Sequence, residues 1–164
     1  MDNEWIEKFA IQELFARYAH AIDDLEPAAW VECFTPDGVF QVGTRAMRGQ
    51  TALRGYADVH IQEIRCRHMM ANFLYEVNGN EATGQCSMLA TLATAGGYKI
   101  FAQGRYVDRL VKYDGQWRIA HRRVETDRLA SKPNGITSIA DPDVAVLVQP
   151  LVDAARKLGE KVER

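Results

Sequence analysis

Residues 66–127, CRHMMANFLYEVNGNEATGQCSMLATLATAGGYKIFAQGRYVDRLVKYDGQWRIAHRRVETD, set the architecture of this chain. Four long runs, 66–78, 81–95, 97–113 and 116–127, are punctuated by Asn78-Gly79-Asn80, Gly96-Gly97 and Asp114-Gly115. Asn-Gly, Gly-Gly and Asp-Gly turns supply the positive φ that tight hairpins need, so the runs read as consecutive strands of an antiparallel meander.

Upstream the hydrophobic period changes from two to 3.6. Leu53, Tyr56, Ala57, His60, Ile61 and Ile64 mark a helix immediately before the meander. Before it, Thr35-Pro36-Asp37-Gly38 reads as a turn that launches a strand at Val39 and a short hairpin through Thr44. A shorter helix precedes that turn, with Pro27 in its first turn and Trp30, Val31 and Phe34 on one face; Asp24 or Glu26 is available to cap it. The first helix carries Trp5, Phe9, Ile11, Leu14, Phe15, Tyr18 and Ile22 at helical spacing. Helices first and strands later indicate an α+β fold, with helices covering one face of a curved sheet. Residues 1–129 form that domain. Residues 130–139 read as a loop, and Asp141-Pro142 opens a last helix, kinked at Pro150, whose stripe from Val144 to Leu158 must bury against the domain or a neighbouring subunit.

Composition narrows the functional classes. The chain has 164 residues, a formal charge of −2, 47% hydrophobic and 26% charged residues, which is ordinary for a soluble globular protein. Its Lys and Arg residues are scattered, so no nucleic-acid partner is expected. No apolar run reaches membrane-span length and the start lacks a secretory pattern, so a cytoplasmic protein without membrane contact is expected. Cys33, Cys66 and Cys86 are odd in number and widely spaced, which suits a reducing compartment. GxSxG, GxxxxGK[ST] and GxGxxG are absent. His20, His60, His68 and His121 lack the spacing of a local metal site, so no metal or cofactor is expected.

The residues with chemical promise lie near Asp23 and His68. Asp23 and Asp24 end the first helix, against the negative end of its dipole, a small penalty that suggests a task for one of them. If Asp24 caps the next helix, Asp23 is the carboxylate left over. In run 66–78 strict alternation places His68, Met70, Asn72 and Leu74 on one mixed face, as in a pocket wall, and Met69, Ala71, Phe73, Tyr75 and Val77 on a packing face. A histidine there, reached by a carboxylate, is a competent general base; the plain alternative is a half-exposed or core histidine. Tyr18 is either a core aromatic or a donor, and His60, on an apolar stripe, is buried or pocket-lining. Arg122 and Arg123 point to opposite faces, so at most one enters the interior.

The stretches IQELFARYAHAIDDLEPAAWVECFTPDGVF, RHMMANFLYEVNGNEATG and GRYVDRLVKYDGQWRIAHRRV resemble the SnoaL-like polyketide cyclases and scytalone dehydratase-like proteins of the nuclear transport factor 2-like superfamily, over about residues 10–127. The resemblance implies a cone-shaped sheet and a pocket. By likeness to dehydratases and hexachlorocyclohexane dehydrochlorinase, it implies cofactor-independent base chemistry. Asp23 falls on the orienting aspartate through the IQxL(x)8D spacing, His68 on the base through HxxxN, and Tyr18 on a tyrosine of steroid and bile-acid dehydratases. The expected catalytic residues are therefore His68, Asp23 and Tyr18, with Asn72, Met70, Trp30, His60 and Arg123 binding substrate. The expected activity is a dehydratase-type lyase or an isomerase acting on a small apolar cyclic molecule, in a homo-trimer or homo-dimer. The chain departs from the pattern in that the additional acid, second histidine or arginine of particular members has no assigned position. GRYVDRLVKYDGQWRIAHRRVETD is also similar to the small subunits of aromatic-ring dioxygenases, which implies a non-catalytic partner subunit as the alternative, beside a binding protein with a vestigial pocket.

Overall fold

The computed structural model describes residues 3–127 and 142–163. Its elements are α1 (Asn3–Asp23), α2 (Pro27–Glu32), β1 (Phe34–Val42), β2 (Arg45–Arg48), α3 (Gly49–Glu63), β3 (Cys66–Asn78), β4 (Glu81–Thr94), β5 (Gly97–Tyr113), β6 (Gln116–Thr126), α4 (Pro142–Leu158) and β7 (Glu160–Lys161). The hairpin turns fall where the glycines place them. Asp114 and Gly115 both adopt positive φ, 51° and 76°, as a two-residue turn between right-twisted strands requires.

A single curved, unclosed sheet runs in the order β3-β4-β5-β6-β1-β2-β7. The meander β3 to β6 is antiparallel throughout, whereas β1 lies parallel to β6, with Phe40 opposite Arg122. Helices α1 to α3 pack on this α+β frame. Ile11, Leu14, Phe15, Tyr18 and Ile22 of α1 are buried, each such side chain contributing roughly 1.5–3 kcal/mol relative to exposure. Trp5 and Phe9, expected on the same stripe, are instead 59% and 61% exposed. Glu7 faces the sheet at that end, accepting from Lys112 Nζ at 2.6 Å and Trp117 Nε1 at 2.7 Å, and positions two residues to either side then turn outward.

Three further details differ from the sequence expectation. Neither Asp24 nor Glu26 caps α2 through its side chain; Glu26 occupies the N-cap without a cap bond, and Asp24 pairs with Arg67 at 2.6 Å. Strand β1 begins at Phe34 rather than Val39, its pairing with β6 shifting register between those residues. Alternation along β3 breaks at an irregularity between Ala71 and Leu74, where Asn72 takes φ 54°. The bulge inverts the faces beyond it, as one extra residue must. The expected loop 130–139 lies outside the described residues. Helix α4, with Pro150 inside it, packs on α3 of the same domain and buries Val144, Val148 and Leu151. Among the described residues no helix is long and apolar enough to cross a membrane.

Candidate functional site

Asp23 is the last residue of α1, and His68 is the third residue of the sheet's edge strand β3. Packing of α1 on β3 brings them into a two-point contact. His68 Nδ1 lies 2.7 Å from Asp23 Oδ1, and the His68 backbone N–H donates to Oδ2, also at 2.7 Å. Both side chains are buried, 8% and 4% exposed. A carboxylate at Nδ1 selects the tautomer protonated there and leaves Nε2 with its lone pair. Burial pushes the Asp23 carboxyl up, but the bonds from the His68 ring and backbone and from Cys66 outweigh it and hold the group below the ordinary aspartate range. The acid at the helix end is thus compensated by donors from a strand.

Two residues complete this cluster: Cys66, which sequence reasoning missed, and His60, which it placed as buried or pocket-lining. The Cys66 thiol donates to Asp23 Oδ1 at 3.3 Å and lies 3.7 Å from His68 Nδ1. On its other side His60 Nε2 is 3.3 Å from the sulfur. Burial pushes the Cys66 thiol well above its usual range, with the Asp23 charge adding to the effect, so the sulfur is a protonated donor rather than a nucleophile. Burial and the neighbouring His68 pull His60 down to about 3, so its ring stays neutral. The signal that finds Cys66 is alternation: it sits two residues before His68 on the same strand face.

His68 and His60 open onto a cavity of about 460 Å³, within the range of small-molecule sites. Its walls include Tyr18, Ile22, Trp30, Phe40, Tyr56, Met88 and Tyr106, and α4 closes one side with Val148, Leu151 and Ala155. The lining is chiefly aromatic and aliphatic. Tyr18 is fully enclosed; burial raises its hydroxyl above the ordinary phenol range, and the Arg122 charge partly counters this, so it is a donor at neutral pH. The indole N–H of Trp30 has no aligned acceptor among the described residues.

The structure therefore brings together Tyr18, Asp23, Trp30, His60 and His68. It separates the other expected binding residues. Asn72 lies on the outer face, bonded to Ser87 at 3.1 Å, because the bulge turns it away. Met70 borders an outer groove with Asp23, Arg67 and Phe73, not the cavity. Arg123 points outward and pairs with Glu125 at 2.7 Å, while Arg122 is the interior member. Arg122 binds Asp108 through two nitrogens at 2.8 and 2.9 Å, and Tyr75 donates to the same carboxylate at 2.8 Å. Its guanidinium packs against the rings of Phe15, Tyr18 and Tyr106, 4.1–4.5 Å from their centroids, placing a fixed positive charge behind two tyrosines of the cavity wall.

Comparison with known proteins agrees with this frame. The chain is 48% identical to Rv3472 of Mycobacterium tuberculosis, a protein of unknown function solved with one Asp replaced by Asn; the match covers 99% of this chain and 96% of that one at a TM-score of 0.96. It is 24% identical to a candidate scytalone dehydratase of Novosphingobium aromaticivorans, over 77% of this chain and 87% of that one, TM-score 0.71. The beta subunit of a candidate aromatic-ring-hydroxylating dioxygenase from the same organism is 20% identical over 77% and 92%, TM-score 0.69. These last two likenesses are of fold. Among curated proteins none matches the chain. The SnoaL-like domain model matches residues 6–123, and the chain accordingly belongs to the SnoaL-like family.

Proposed function

We propose that this protein is a lyase of the dehydratase type, or an isomerase, that removes a proton from carbon in a small apolar cyclic substrate without a cofactor. One observation carries the reading: His68 is gripped by Asp23 at ring and backbone, both at 2.7 Å, and the ring opens onto an apolar cavity. The tautomer set by Asp23 leaves Nε2 as the base, and the carboxylate stabilises the imidazolium as it forms. Tyr18 donates to the oxygen or leaving group of the substrate. Trp30 and His60 shape the wall against which an apolar ring packs. A non-catalytic subunit has no use for a desolvated acid–base pair facing a cavity, which favours the enzyme over the structural alternative. Apolar side chains on the exposed sheet surface, Met69 and Leu74 among them, support a homo-oligomer, and native mass measurement tests that state.

The experiment is solvent-deuterium wash-in. Cyclic ketones and β-hydroxy ketones are incubated with the protein in D2O, and label at the carbon-bound position is read by mass spectrometry. Label or elimination product should form with the wild type and fall by roughly 10²–10⁴-fold in His68→Ala. A folded His68→Ala protein of unchanged activity sinks the proposal.

A further inference from the structure

Asp23, Cys66 and His68 bring an oxygen, a sulfur and a nitrogen to one place, although the aspartate comes from a helix 43 residues before the cysteine. Their donor atoms lie within 4.8 Å of one another, at 2.7 Å for Oδ1 to Nδ1, 3.3 Å for Sγ to Oδ1 and 3.7 Å for Sγ to Nδ1. Around a tetrahedral zinc ion, with bonds of about 2.0–2.3 Å, neighbouring donors sit roughly 3.3–3.6 Å apart. The two sulfur separations already fit within a few tenths of an ångström. The oxygen–nitrogen pair has to open by about half an ångström, which happens when the proton it shares leaves.

We propose that Asp23, Cys66 and His68 form a three-ligand site for a divalent cation of the zinc class, and that loading it switches off the base. Thiolate with imidazole selects a borderline metal, whereas magnesium and calcium take oxygen ligands in larger number. Charge agrees: a divalent ion with one carboxylate and one thiolate makes a neutral centre, the state a buried site tolerates best. His60 supplies the outer-shell support, its Nε2 standing 3.3 Å from Sγ and able to donate to the bound thiolate. Three protein ligands leave one position for solvent.

The protons balance as follows. The Cys66 S–H gives its proton to solvent as the metal–sulfur bond forms. His68 loses the proton on Nδ1 as the metal–nitrogen bond forms, and Nε2 takes one up to restore a neutral imidazole. One proton is released per ion, and the lone pair that would abstract a substrate proton is occupied by hydrogen. Only this last consequence rests on the reading of His68 as the base; the cation site itself does not.

The test uses the untagged full chain and Co2+ as the probe. One equivalent should produce a sulfur-to-cobalt charge-transfer absorption in the near ultraviolet together with the intense visible bands of a four-coordinate ion, and Zn2+ should bleach both. Cys66→Ser should remove the charge-transfer band and weaken Zn2+ binding roughly tenfold or more, and Asp23→Asn should weaken it likewise should the cysteine variant not fold. Cys33→Ser should change nothing. Absence of the band in the folded wild type, or Zn2+ affinity unaltered in a folded Cys66→Ser or Asp23→Asn protein, overturns the site. The two proposals fail separately. A missing band with His68-dependent wash-in intact retires the cation site alone, and a cysteine-dependent band with no wash-in retires the base alone.

Discussion

At the scale of single residues, the site depends on what Asp23 accepts. Three donors converge on it: the His68 ring, the His68 backbone and the Cys66 thiol. Asp23→Asn replaces one acceptor oxygen with a donor facing donors, and should cost about 2 kcal/mol of stability at neutral pH. Because folding depresses this carboxyl, its stabilisation is present above the unfolded value of about 3.9 and is lost as pH falls through the lower folded one. Urea unfolding of wild type and variant should therefore begin to converge as pH falls below about 4 and meet only below the folded value. His60 works at higher pH. Its ring titrates near 6.5 unfolded but is held at about 3 by burial, so between these values the unfolded chain binds more protons and stability rises with pH, by up to about 1.4 kcal/mol per pH unit. His60→Leu should flatten that slope in unfolding measured between about pH 6.5 and pH 4.5. Much of this site was legible in sequence. Asp23 and His68 stood out through the helix-end conflict, strand alternation and family spacing, and Trp30 and His60 through the faces of their helices. Cys66 was not, because cysteine spacing along the chain carries no sign of partners that arrive through tertiary packing. Alternation could say that at most one of Arg122 and Arg123 goes inside, but the choice belongs to the phase of β6 against β1 and β5.

At the scale of elements, turn chemistry made the meander readable: strand limits follow the Asn-Gly, Gly-Gly and Asp-Gly pairs within a residue. What pattern could not reveal is the bulge in β3, since one left-handed residue leaves no periodic trace and yet reverses every side chain after it. Asn72 holds that position at φ 54°, a conformation asparagine tolerates and β-branched residues do not. Asn72→Gly should leave thermal stability nearly unchanged, whereas Asn72→Val should lose roughly 1–2 kcal/mol in denaturant unfolding. Equal effects from the two would show that the side-chain bond to Ser87, rather than the backbone, fixes the bulge.

At the scale of the whole molecule, the Arg122–Asp108 pair ties β5 to β6 beneath α1, with both side chains at 0% exposure. Breaking it strands a buried charge. Arg122→Met should destabilise by roughly 3–5 kcal/mol, while Arg122→Met with Asp108→Leu should recover part of that loss in chemical denaturation. The cavity beside this pair exists because α1, α3 and α4 stand over a curved sheet, and no local stretch of sequence encodes its volume. The reach of the dyad along the chain has a kinetic side. Each meander hairpin closes over a few turn residues, but the bond between Asp23 and His68 spans 45. Loop-closure entropy grows with span, so the hairpins are the cheaper closures, and the carboxylate meets the imidazole only when α1 docks on a sheet edge already made. The appearance of that bond during refolding is thus a clock for the final docking step, and the chain gains its His68–Asp23 pair only once its architecture is complete.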